Sequence, residues 1–166
     1  MIQRLTLFLL LFVSLSTRGF PQSKCWIDSE SFKMVYDEAG VLDYASEARV
    51  QVAVENFNRS HGVVLVVFVA PDLCGWSALG FGTELGSDWG VGDAGLNNGL
   101  ILVALPKTDG VSGQLALSVG KGLEAKLTDE EAQGIIDDVI PFLKERDWLG
   151  GLGEMLNQGL PRALQQ

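Results

Sequence analysis

The stretch VVLVVFVAP, Val63 to Pro71, is apolar without a break and rich in β-branched residues. Such a run reads as a strand buried on both faces, and Pro71, which has no amide hydrogen to offer, stops its ladder. A second run, Leu100 to Leu105, has the same character. Between and around these runs the apolar period changes to that of a helix. Ser46 to Ser60 places Val50, Ala53, Val54 and Phe57 on one face, and Gly62 ends the helix. The single histidine, His61, falls in its last turn, where a cation suits the carbonyl end. Ser77 to Asp88 reads as a second helix despite its glycines.

Strands Leu100 to Leu105 and Gln114 to Val119 are joined by PKTDGVSG, whose Asp-Gly and Ser-Gly pairs predict a hairpin and antiparallel neighbours. LTDEEAQGIIDDVIPFLKERD opens with a capping box, Thr128 and Glu131, and buries Ile135, Ile136, Val139, Ile140 and Leu143, with a kink expected at Pro141. A last helix is expected from about Leu152 to Leu164. With a short extended lead-in at SFKMVYDEAGVL, the order is strand, helix, strand, helix, strand, strand, helix, helix. That order predicts an α/β layered domain with a small mixed sheet between helices.

The N-terminus has a different purpose. One basic residue, Arg4, precedes an apolar run from Leu5 to Leu15, followed by small residues at Ser14, Ser16, Thr17 and Gly19. Residues 1–19 therefore read as a secretory signal peptide, too short to span a bilayer comfortably; a retained N-terminal anchor is the alternative. Residues 20–32 form an extended segment, and 33–164 the domain. Removing 1–19 takes away Arg4 and Arg18 and no acid, which leaves 10 basic and 21 acidic residues and a net charge of −11. Such a surface repels nucleic acid and concentrates cations. Export to a periplasmic or extracellular space permits a disulfide between Cys25 and Cys74, which we favour over two unrelated buried thiols.

Four motifs resemble catalytic signatures and fail on context. DWGVGDAGLNNGLILV contains GxGxxG at Gly90, Gly92 and Gly95, but the apolar strand follows these glycines, whereas in a dinucleotide fold it precedes them. GWSALG is one residue from a nucleophile elbow and has no histidine partner, RSHG lacks the second histidine of a phosphatase, and SVGKG lacks the first glycine of a phosphate loop. One histidine and two cysteines are too few for zinc or haem.

Oxygen ligands remain. Asp88, Asp93, Asn97 and Asn98 precede strand 100–105, and Glu124 and Asp129 follow strand 114–119. In a hairpin the start of the first strand lies beside the end of the second, so the Asn97-Asn98 loop should sit next to residues 120–124. Carboxylate, amide and carbonyl oxygens on glycine-rich loops suit calcium, with magnesium the weaker choice. The glycines would free the loop to turn Asp93, Asn97 and Asn98 toward a common point.

Taken in order, VYDEAGVL, WGVG, NNGLILVAL, SVGKGLEAKLTDEEA and IIDDVIPFLKERDWLGGL resemble the TPM domain. This family includes the plant thylakoid-lumen acid phosphatase, the nematode acetylcholine-receptor modulator and many exported bacterial proteins. The resemblance implies a three-layer α/β/α sandwich around a four-stranded sheet, export, and divalent-cation binding, often calcium, in loops at one end. It also implies that some members hydrolyse phosphomonoesters and others associate with membrane complexes. Asp37 matches the aspartate of the D-x-A-x-V-L pattern, Asn98 and Gly99 its D-N-G, Glu124 a G-x-x-L-E-like turn and Asp129 its L-T-D. Asn97 stands where the family often has aspartate, which removes a carboxylate. If the first strand is parallel to its neighbours, Asp37 lies at the sheet edge opposite Asn98.

The metal set expected is thus Asp93, Asn97, Asn98, Glu124, Asp129 and Asp37. The leading function is an exported calcium-binding protein that acts by association with an envelope or membrane protein. The rival is a metal-assisted acid phosphatase, with Asp129 or Glu124 as base and Lys107, Lys121 or Lys126 on the phosphate. A third reading is a ligand-free interaction module using Trp76, Trp89 and Trp148, although tryptophans in such a chain usually serve the core.

Overall fold

A computed structural model describes residues 25–26 and 33–165. The signal-peptide expectation lies outside the described residues, as does most of the 20–32 lead-in. The elements are β1 (Val35–Asp37), α1 (Tyr44–His61), β2 (Val64–Val69), α2 (Ala78–Trp89), β3 (Gly99–Leu105), β4 (Gln114–Val119), α3 (Asp129–Lys144), α4 (Trp148–Glu154), a π-helical turn (Met155–Gly159) and α5 (Leu160–Leu164). The four strands lie in the order β1-β2-β3-β4. The first three are parallel, with Val64 beside Gly99, and β4 runs antiparallel to β3, with Leu100 beside Val119.

Strand alternation sorts the core into two layers. Leu65, Val67, Val69, Leu100, Leu102 and Ala104 face α1, α3 and the C-terminal helices, whereas Val66, Phe68, Ile101 and Val103 face α2. The result is the α/β/α sandwich with a mixed sheet. The α2 face has one helix to cover four strands, and Trp26 supplements it. The Trp26 ring sits edge-on to Phe81 at 5.1 Å and its Nε1 donates to Asp88 Oδ2 at 3.0 Å. A disulfide between Cys25 and Cys74, Cα atoms 6.0 Å apart, holds that segment against the loop after β2. No helix of the described residues is long and apolar enough to cross a membrane.

Local signals account for most boundaries. Asp43 caps α1 by accepting from Ser46 N, and Gly62 closes it in the left-handed conformation. Thr128 and Glu131 form the expected capping box at α3. Three details differ from the sequence reading. Ala53 is exposed, and Asn58 is buried in the same helix because its side chain accepts from Leu65 N at 2.9 Å and donates to Leu65 O at 3.0 Å. Ile140 and Leu143 are half-buried at the margin of the core. The last helix begins at Trp148, since glycines 150 and 151 let it press on Phe142 and Val139.

The two sheet edges are treated differently. At β1, Gln51 of α1 reaches over and its Oε1 accepts from Met34 N at 3.0 Å and from Val35 N at 2.9 Å. At β4 no side chain performs that service among the described residues.

Candidate functional site

The loops that enter β3 and leave β4 converge at one sheet edge, as the hairpin requires. Gly120 N donates to Gly99 O at 2.8 Å and Gly122 N to Asn97 O at 3.0 Å. A Cβ on Gly99 would collide with the Val91 carbonyl, and one on Gly122 with the Leu96 carbonyl. Glycine is needed here because backbone meets backbone with no room for a side chain between them. This differs from the expectation that the glycines bend side chains toward a common point.

Within the first loop the polar side chains are largely engaged. Asp93 Oδ1 accepts from Gly95 N at 2.8 Å and Leu96 N at 3.1 Å, which folds the turn before β3. Asn97 takes a left-handed backbone, φ 49°. Asn98 is buried: its Oδ1 accepts from Asp93 N at 2.8 Å and its Nδ2 donates to Gly62 O at 2.7 Å. Both ends of that amide hold backbone, and the residue positions the loop.

Asp37 is elsewhere. It pairs with Val69, which pairs with Ala104, whereas Asn98 precedes Gly99 at the start of β3. Six strand residues separate the two levels, roughly 20 Å. Asp37 accepts from Val41 N at 3.1 Å and Leu42 N at 2.6 Å and so shapes the turn into α1. Because β1 is parallel, Asp37 and Asn98 do not share a site.

Glu124 and Asp129 remain available. With Leu127 and Thr128 they line a depression of about 320 Å³ between the loop after β4 and the start of α3. Both are exposed, and no hydrogen bond from the described residues occupies either carboxylate. Among the described residues no group of three His, Cys, Asp or Glu side chains could hold a metal ion. Glu124 and Asp129 are the only two carboxylates among the residues lining this depression.

A larger depression, about 480 Å³, runs between α1 and α4 and includes Val50, Phe57, His61, Leu152, Leu156 and Asn157 in its lining. His61 stacks on Phe57 at 4.3 Å, with Nδ1 3.0 Å from the Phe57 carbonyl. This depression is also lined by Arg49, Asn56 and Ser60, carries no acid in its lining and shares no residue with the Glu124–Asp129 depression.

A family model described as the TPM domain matches residues 35–159. The chain belongs to the TPM domain family. Among solved structures, this TPM domain is similar to the N-terminal domain of a protein from P. gingivalis, at 30% identity and a TM-score of 0.65, over 83% of this chain and 88% of that one. The N-terminal domain of the cg2496 protein from Corynebacterium glutamicum shares the fold at 16% identity and a TM-score of 0.56, over 85% of this chain and 90% of that one. No curated protein matches this chain. The match to the TPM model takes in both convergent loops, Glu124 and Asp129.

Proposed function

We propose that this TPM domain is exported, binds calcium through Glu124 and Asp129, and acts by associating with an envelope or membrane protein complex. The observation that carries the reading is the pair of unoccupied carboxylates beside loops whose backbones are locked together by glycine. Asp93, whose Oδ1 is engaged in its own turn, contributes at most Oδ2, and Asn97 an amide oxygen. Asn98 and Asp37 are positioning residues in this proposal. So few carboxylates place the affinity in the range of extracellular calcium modules, on the order of 10⁻⁴ to 10⁻³ M. Magnesium, which gives up its water reluctantly, binds less well. The Cys25–Cys74 disulfide and the N-terminal apolar run support an oxidising, exported location.

Titration with calcium, followed by amide NMR shifts, tests the proposal. Shifts centred on residues 93–98 and 120–130, lost in Glu124→Gln/Asp129→Asn, are expected. An unchanged spectrum at ten-millimolar calcium overturns it.

The phosphatase alternative receives less support. Lys107 follows β3 at the far end of the sheet, and Lys126 Nζ donates to Leu164 O at 3.1 Å, which leaves Lys121 of the three expected phosphate partners. Hydrolysis of p-nitrophenyl phosphate that disappears in the same double variant would restore that alternative.

A further inference from the structure

We infer that the depression between α1 and α4 takes up a free single-chain amphiphile with a carboxylate head, its head on Arg49 and its chain laid toward His61. The depression has a volume of about 480 Å³, within the range of small-molecule sites, and such sites often lie between packed helices. Its floor is apolar: Val50 and Phe57 of α1, Leu152 of α4 and Leu156 of the π-helical turn line it, and all four are buried. From Arg49 to His61 the α1 wall runs twelve residues, about 18 Å, so the space is elongated and suits an extended chain.

Small side chains keep the space open. Helical spacing predicts Ala53 in the core, yet it is exposed, and it lines this depression. On the other wall a Cβ on Gly153 would meet only Asn157 Nδ2, at 3.8 Å. The π-helical turn, closed by Leu160 N donating to Met155 O, brings Leu156 and Asn157 to that same wall. Such turns insert a residue into a helix and recur at functional sites.

The rim selects the head group. Acids outnumber lysines and arginines 21 to 12 in this chain, yet the lining of the depression holds Arg49 and His61 and no acid. The acids of α1 lie on another flank: Glu47 and Glu55 sit one turn either side of Gln51, which reaches the β1 edge, and Glu55 Oε1 accepts from Gln51 Nε2 at 2.6 Å. Neutral groups set the Arg49 guanidinium, with Nε donating to Ala45 O at 3.4 Å and Nη2 to Ser46 Oγ at 3.2 Å. Asp43 is close enough to feel its charge but is engaged by Ser46 as the cap of α1. Nη1 has no partner among the described residues, and a carboxylate is the group that a guanidinium binds most strongly. A cationic head placed there would be repelled.

Isothermal titration of the chain, disulfide intact, with dodecanoate below its micelle concentration tests the inference, and EDTA in the buffer keeps the result independent of the calcium reading. Uptake at least about tenfold tighter than that of dodecyltrimethylammonium is expected, with amide NMR shifts centred on residues 49–61 and 149–157. Arg49→Gln should weaken dodecanoate about tenfold. Gly153→Leu and Ala53→Leu, each filling the space from an open helix position, should weaken it at least as much, with unchanged circular dichroism. No uptake up to the micelle concentration overturns the inference, as does equal affinity for the cationic amphiphile or uptake indifferent to both filling variants. Co-sedimentation with phosphatidylglycerol vesicles without uptake of free dodecanoate also overturns it, because the groove would then serve a bilayer.

Discussion

Asn98 donates to the Gly62 carbonyl at 2.7 Å, and through that bond the loop entering β3 is fastened to the turn that ends α1. The same amide accepts from Asp93 N, so one side chain satisfies two backbone groups that no β-ladder reaches. Asn98→Ala should cost about 2–3 kcal/mol in urea denaturation, the penalty of leaving buried polar groups unpaired. Asn98→Asp separates positioning from ligation. A ligand role would raise calcium affinity through the added carboxylate; we expect lower stability and no gain in affinity, because the donor to Gly62 is lost.

Two glycines should respond in opposite directions. Gly122→Ala drives a methyl into the Leu96 carbonyl and must separate the two loops, at a cost of about 1–3 kcal/mol. Gly134, inside α3, has open space around its Cβ position. Gly134→Ala should stabilise by about 0.5–1 kcal/mol through helix propensity alone. Thermal melts of the two variants give the comparison, and equal signs would mean that the loop packing is not rigid.

The disulfide joins residues 49 apart in sequence. On the chain-entropy model its removal costs about 4 kcal/mol. Cys25→Ser/Cys74→Ser should lower the denaturation midpoint, and the Trp26 share of the tryptophan fluorescence, defined by a Trp26→Phe control, should respond before the circular dichroism of the sheet does. Simultaneous loss of both signals would show that Trp26 is integral to the core and not a tethered cover.

Asp43 gives a pH signature. Its hydrogen bonds to the Ser46 amide and hydroxyl, with Arg49 nearby, hold its carboxyl below the ordinary 3.8. A carboxyl depressed by folding contributes stability that is complete above 3.8 and disappears as pH falls through the lower folded value. Asp43→Asn keeps a capping oxygen and removes that pH dependence. Stability profiles of the two proteins should therefore converge on acidification; parallel profiles would assign the acid sensitivity to other carboxylates.

Elements governed by local chemistry were legible in the sequence. Gly62, the Thr128–Glu131 box and the Asp-Gly hairpin each act within a few residues, and each appears where expected. Side-chain direction was not legible, because it depends on what lies across the fold. Asn58 turns inward only because β2 brings Leu65 to it, and Asn98 only because α1 ends beside it. WLGGLG reads poorly as helix until α3 supplies the surface its glycines fit against. The loop convergence at the candidate site followed from the hairpin, whereas the separation of Asp37 required the parallel register of β1.

Gln51 carries a consequence for aggregation. A sheet with two open edges can recruit neighbours without limit, and fibrils grow in that way. Here Gln51 Oε1 takes up the Met34 and Val35 amides at the β1 edge. A strand approaching the β1 edge would have to displace that amide first, which disfavours recruitment there. Gln51→Ala would leave both amides unpaired at the edge and should make light scattering rise with protein concentration.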